Sequence, residues 1–302
     1  MIRRARYLVA AAGSAAILAG VMTLAGATAA MAQAPAPSCA NGVRCTNNGQ
    51  APSQGVAGYY GADDFHTHYR YVQTIVTATP QLVNLNGNYS ANHQGAVGVE
   101  LCDPTTGKAA QMSLGFTKTL VGTPQYVLRW GVGSFGPSNS FTSDPCIQTG
   151  FVHAFPFKSG VFTGINPGDQ ILLAIFYSNS GYHHHQISFG ACDITQGICR
   201  PVWSGSVWSL NLTEFGIGAF SAHNNVQGGA INEFETFSSN AVTCYSCPGP
   251  VAITTVQPVN PFNAGGLYEA QFVNASSQVQ MSPLDSLTPT SFSMWNGSTG
   301  PV

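Results

Sequence analysis

Beyond residue 32, no stretch of the chain keeps apolar residues at the i, i+3, i+4 spacing of an amphipathic helix. In its place are short extended runs broken by turn residues. Tyr69–Thr79 (YRYVQTIVTAT) is rich in β-branched and aromatic side chains with a rough period of two, and Pro80 ends it. Gly95–Leu101, Ala110–Thr117, Gln125–Val132, Gly160–Ile165, Tyr182–Cys192 and Ile198–Trp208 read as strands in the same way. So do Ile231–Phe237, Ala252–Val256 and Tyr268–Val273. Gln170–Tyr177 (QILLAIFY) is too apolar for a half-exposed strand and is expected to be central and buried. Asn166-Pro167-Gly168-Asp169, Ser178–Gly181, Asp193–Gly197 and Asn260–Gly265 supply turns. With 34 glycines and 18 prolines punctuating these runs, the expected fold is all-β. It is an antiparallel β-sandwich of the jelly-roll or concanavalin-like kind, with disulfide-stapled loops.

The two ends read differently. Arg3, Arg4 and Arg6 precede an apolar stretch, Tyr7–Gly26, and Ala30-Met31-Ala32 fits a small-x-small cleavage site. Residues 1–32 therefore read as a secretory signal peptide, and the mature protein is expected outside the cell, with no membrane attachment after cleavage. A Pro/Asn/Gly-rich leader is expected over 33–57, the sandwich over 58–275, and a loosely held Ser/Thr/Pro-rich tail over 276–302. Removing the three signal arginines leaves seven basic against twelve acidic residues, a net charge near −5. No basic patch is available to neutralise phosphates, which argues against a nucleic-acid partner. Few ion pairs also means few to lose when carboxylates protonate, so the composition permits work in acid.

The eight cysteines, Cys39, Cys45, Cys102, Cys146, Cys192, Cys199, Cys244 and Cys247, are all beyond the signal segment and point to disulfides in an exported chain. Their spacing suggests Cys39–Cys45, Cys192–Cys199 across a hairpin tip and Cys244–Cys247, leaving Cys102–Cys146. The rival for Cys244-x-x-Cys247 is a metal site, weak for a single pair.

Several chemistries can be weighed on side chains alone. No Gly-x-Ser-x-Gly elbow is present, and paired cysteines leave no thiolate nucleophile. His66 and His68 share a strand face, and His183-His184-His185 follows a glycine, so a histidine metal site is one possibility and exposed polar residues the other. Glu233 and Glu235 share a strand face, as a carbohydrate-cleaving pair or two surface carboxylates would. Trp203 and Trp208 could stack on sugars or fill the core. The remaining feature is Gln111 in Ala110-Gln111-Met112-Ser113, an amide that gains meaning if a carboxylic acid faces it.

In chain order, several segments form a series. Thr74-Ile75-Val76-Thr77-Ala78-Thr79-Pro80 comes first, then Ala96-Val97-Gly98-Val99, then Gln111 about a dozen residues on. His153-Ala154-Phe155-Pro156, Pro167-Gly168-Asp169-Gln170-Ile171 and Asp193-Ile194-Thr195-Gln196-Gly197 follow. Glu233-Phe234, Ala252-Ile253-Thr254 and Phe272-Val273-Asn274-Ala275 complete it. This order, spanning roughly Tyr69 to Ala275, resembles the eqolisin, or glutamic peptidase, family of secreted acid proteases. The resemblance implies a protein or peptide substrate, no cofactor and no metal. It also implies Glu233 as general base and then acid, Gln111 as stabiliser of the tetrahedral intermediate, and Phe234 and Phe155 as substrate-binding residues. Gln148, in Ile147-Gln148-Thr149-Gly150, copies the family's local sequence better but lies only eight residues before Pro156, and spacing favours Gln111. Ala96, Phe234 and His153 stand where the family has Trp, Trp and an acid. Those changes keep open a non-catalytic sandwich that binds glycan or another surface partner, or an exported histidine-based metal binder.

Overall fold

The structure is a computed structural model. It describes residues 44–48, 55–62, 68–78, 95–117, 125–134, 158–161, 164–179, 185–207, 209–221, 234–244, 247, 249–255, 266–273, 279–283 and 287–296, with some side chains at element ends excepted. Residues Met1–Pro35 form a unit separate from Ala36–Val302, and only the second contains described residues. The signal-peptide expectation therefore lies outside them.

The described chain is almost entirely extended. The first strands are β1 (Arg44–Asn48), β2 (Gly55–Ala62), β3 (Tyr69–Thr77), β4 (Gly95–Asp103), β5 (Lys108–Thr117), β6 (Gln125–Ser134) and β7 (Lys158–Val161). Next come β8 (Gln170–Ser178), β9 (Gln186–Asp193), β10 (Ile198–Ser206), β11 (Glu214–Ser221) and β12 (Phe234–Cys244). After the two-residue β13 (Val251–Ala252) and a 3₁₀ turn, β14 (Gly266–Val273), β15 (Val279–Pro283) and β16 (Phe292–Asn296) close the series. Hydrogen bonding runs in the order β10-β9-β8-β3-β12-β16-β15-β14-β2-β11-β4-β5-β6-β7. All of these pairs are antiparallel, and the one parallel pair among the described strands joins β1 to β14.

The ribbon packs as a sandwich of two sheets because its strands alternate. Val72 and Val76 of β3, Leu173 and Ile175 of β8, and Phe189 of β9 face inward from one sheet. Tyr59 of β2, Val99 and Leu101 of β4, Met112 of β5, Leu128 of β6, and Phe215 and Ile217 of β11 face inward from the other. The rings of Tyr69 and Phe215 meet edge-on across the interface at 5.1 Å, and the Tyr126 hydroxyl of β6 donates to the Ala78 carbonyl beyond β3 at 2.9 Å. Core burial of this kind, at about 25 cal/mol per Å² of apolar surface, is the main force holding the layers together.

Several sequence expectations need correction. The segment read as a loose tail contributes β15 and β16, which bridge β14 and β12 and so join the two sheets. Phe292 is buried there, stacked on Phe237 at 4.7 Å and edge-on to Tyr59 at 4.8 Å. Apolar residues at 292 and 294 supply an inward face that the surrounding Ser and Thr obscure. The segment read as a poorly ordered leader carries β1 and the start of β2. β8 is interior to its sheet as expected, but only one face is fully buried, and Phe176 is 44% exposed. The disulfides Cys192–Cys199 and Cys244–Cys247 are present. Cys102 is also disulfide-bonded; Cys146 and Cys39 lie outside the described residues.

Candidate active site

The second face of the β2-β11-β4-β5-β6 sheet, on the side opposite Val99, Met112 and Ile217, is buried as well but differs from the first in its residues. Reading across the registered rows, Gly58, Gly218, Gly98, Ser113 and Arg129 form one row. Tyr60, Gly216, Glu100, Gln111 and Gly131 form the next. Ala62, Glu214, Cys102, Ala109 and Gly133 form the third. Directly opposed residues in antiparallel strands project to the same side, and so do residues two apart along one strand. Tyr60, Glu100, Gln111, Glu214, Ser113 and Arg129 therefore share one face, floored by glycines.

The glycines have a packing cause. The Tyr60 ring lies over Gly216, where a Cβ would meet it at 2.5 Å, and the Phe215 ring lies over Gly61 on the opposite face, where a Cβ would meet it at 2.0 Å. β2 and β11 thus exchange aromatic rings for glycines on both faces of one strand pair. This interlock lets β11 be a strand although glycine alternates along it.

Gln111 sits at the centre of this face. The turn after β4 brings it back opposite Glu100: Asp103 Oδ1 accepts from the Thr105 and Thr106 amides at 3.0 and 3.1 Å, and Gly107 takes φ 62°. Gln111 Nε2 donates to Glu100 Oε2 at 3.0 Å. Gln111 and Glu100 are 0% and 2% exposed, and Glu214 is 6% exposed. Glu214 lies diagonally from Glu100 across the β11–β4 pair, roughly 7–8 Å away between backbones. Gln111 Oε1 and the Tyr60 hydroxyl are both buried with no hydrogen-bond partner among the described residues. Leaving such atoms unmatched costs about 1–3 kcal/mol each. Burial, reinforced by the negative charge of Glu100, pushes the Tyr60 hydroxyl well above its ordinary pKa. It therefore stays protonated and is a hydrogen-bond donor in acid and neutral solution.

The other described carboxylates are committed to the scaffold. Asp103 Oδ2 accepts from the Asn211 amide at 2.9 Å, besides capping its own turn. Asp169 Oδ2 accepts from the Asn166 amide and from Gln196 Nε2, each at 2.7 Å. Asp193 Oδ1 accepts from the Gln196 amide at 2.9 Å. Glu235 Oε1 accepts from the Thr77 amide at 3.0 Å, tying β12 to the end of β3. Glu269 accepts from Tyr59 and Gln271, each at 3.2 Å. Of the seven acidic residues described, Glu100 and Glu214 are the two that share Gln111's face.

Glu233, Phe155 and Gln148 lie outside the described residues, as does the side chain of Phe234. Sequence reasoning missed Glu214, Glu100 and Tyr60. The signal available was Thr213-Glu214-Phe215, a Glu-aromatic pair like Glu233-Phe234, but alternate glycines hid its strand. The other candidates are placed more simply. Trp203 packs partly buried against the core, 6.0 Å from the Phe189 ring. His185, at φ 56°, meets the Tyr177 hydroxyl through Nδ1 at 3.1 Å. His66, His183, His184 and Trp208 lie outside the described residues. No three His, Cys, Asp or Glu side chains converge on a metal-binding point among the described residues.

No protein-family model matches the chain, and no curated protein is similar to it in sequence. Its fold is similar to that of scytalido-glutamic peptidase, solved with a transition state analog inhibitor. There the TM-score is 0.50 and the identity 14%, over 82% of this chain and 100% of the other. SCP-B, described as a member of the eqolisin family and bound to the tripeptide Ala-Ile-His, gives a TM-score of 0.46 at 14% identity over 81% and 98% of the two chains. Aspergilloglutamic peptidase from Aspergillus niger gives 0.39 at 13% identity over 67% and 98%. The first likeness shows a shared fold.

Proposed function

We propose that this protein is a secreted acid endopeptidase of the glutamic type, with Gln111 and Glu214 as its working pair. The observation that carries the reading is the buried bond from Gln111 to Glu100 on a glycine-floored face that also holds Glu214. Glu100 takes one N–H of the Gln111 amide and fixes its plane, which makes Glu100 a positioning residue. The second N–H can donate to an oxyanion, and Oε1 can orient a water. Glu214 takes a proton from that water as its oxygen bonds to the scissile carbonyl carbon. The carboxyl then returns the proton to the leaving nitrogen as the C–N bond breaks. No side-chain nucleophile is needed. The reaction balances as hydrolysis, with the water divided between the new carboxyl and the new amine.

The disulfides suit an oxidising compartment and support the secreted reading. The fold shared with a glutamic peptidase supports the reaction class. The test is digestion of an unfolded protein such as casein by the purified mature chain at roughly pH 3–4, where carboxyl groups titrate. Appearance of peptide fragments is the expected result. Intact casein across the acid range overturns the peptidase reading.

A further inference from the structure

Arg129 is placed diagonally from Gln111 for a reason the hydrolytic chemistry does not use. It lies directly opposite Ser113 on β6, hence diagonal to Gln111 and roughly 7–8 Å from it between backbones. Its strand neighbours fix its direction: Leu128 is buried in the core, so Arg129 projects onto the Glu100–Gln111 face. Its neighbour on that face, Gly131, has no side chain to crowd it. Arg129 is half-buried, whereas Glu100, Gln111 and Glu214 are enclosed. Burial lowers the pKa of its guanidinium, and no carboxylate among the described residues offsets that cost. Arg129 makes no ion pair or hydrogen bond with any described residue, in a chain with seven basic residues beyond its signal segment. A planar fork of donors held part-way out of water on the Gln111 side of this face is suited to a carboxylate.

Resting on the peptidase reading, we infer that Arg129 is a specificity residue that binds a carboxylate of the substrate peptide near the scissile bond, from an Asp or Glu side chain or from a chain terminus. The bond is charge-assisted and partly desolvated, so it favours an ionised partner over its neutral isostere by about tenfold. Among the described residues, the carboxyl groups on this face are those of Glu100 and Glu214, and Tyr60 is protonated throughout. A preference due to Arg129 follows the substrate's own carboxyl, strengthening as pH rises through roughly 4.

The experiment compares kcat/KM of the mature protein on peptides that differ only by Glu or Gln at successive positions around the cleaved bond, each made with a free and an amidated C-terminus. Expected is a Glu preference of about tenfold at one position, or a matching preference for the free terminus, which tells the two sources apart. Arg129→Gln brings the ratio near one, and Arg129→Lys, judged folded by its melting transition, keeps part of it. Equal cleavage of all the peptides by the wild type, or a preference that survives Arg129→Gln, overturns the inference and leaves the peptidase reading intact. Cleavage of none of them removes the peptidase reading, and the inference with it.

Discussion

Gln111 and Glu100 face each other across the β4–β5 pair, eleven residues apart in sequence and joined by a 3.0 Å hydrogen bond in the interior. A buried amide that loses its acceptor keeps its desolvation penalty, so Glu100→Ala is expected to destabilise the fold by about 1–3 kcal/mol. Glu100→Gln preserves shape and an acceptor and should cost less. Urea unfolding at neutral pH measures both, and equal stability of Glu100→Ala and wild type would remove the positioning role.

The ring of Tyr60 over Gly216 makes that glycine irreplaceable. Gly216→Val puts branched carbons where Tyr60 Cε1 lies 2.5 Å from an ideal Cβ. Overpacking of this kind costs about 1–3 kcal/mol. In a double-mutant cycle with Tyr60→Ala the two losses should fall short of additive, because the smaller residue removes the clash. Strict additivity contradicts the interlock.

Phe292 locks the C-terminal hairpin into the core through Phe237 and Tyr59. Phe292→Ala is expected to cost about 3–5 kcal/mol, the usual loss for a buried phenylalanine. A truncation before residue 276 should then fail to fold cooperatively. A truncated chain with an unchanged thermal transition would show that the tail is dispensable.

Asp169 carries an acid limit. The Asn166 backbone amide is the main influence holding its carboxyl below the ordinary 3.8, assisted by the side chains of Gln196, Asp193 and Asn166 and opposed by burial. The lowered value means the folded state prefers the ionised form. Its stabilisation is present above pH 3.8 and is lost as pH falls through the lower folded-state value. Among the described residues the titratable groups facing it are Asp193 and Tyr126, whose hydroxyl is pushed up to about 12 by burial and then by Glu235 and Asp169, and so does not titrate in this range. Asp169→Asn should melt lower than wild type at pH 6, and the gap should close in strong acid. A gap constant from pH 6 to pH 2 contradicts this linkage.

β3 was legible because its period of two coincides with burial: Val72, Thr74 and Val76 point inward in turn. β5 was legible from its own extended run, Ala110–Thr117, and Gln111 was singled out by its distance from Val97. β11 was not, since Gly216 and Gly218 depress strand propensity and their cause, a ring and a backbone on β2, is distant in sequence. Glu214 was lost with it. β15 and β16 were hidden by polar composition, because only alternate residues of so short a strand carry the apolar signal. Neighbourhood across strands is set by register, which no local pattern contains; Glu100 and Gln111 became a pair only when the two strands were aligned.

In the proposed reaction the carboxyl of Glu214 performs the proton transfers on the face that holds Gln111. The most direct measurement is kcat for peptide cleavage at acid pH by Glu214→Gln, with Glu233→Gln measured alongside. Expected is a fall of about 100- to 10,000-fold for Glu214→Gln, with the variant still folded, and a near-normal rate for Glu233→Gln. Full activity in Glu214→Gln, or loss of activity in Glu233→Gln alone, contradicts it.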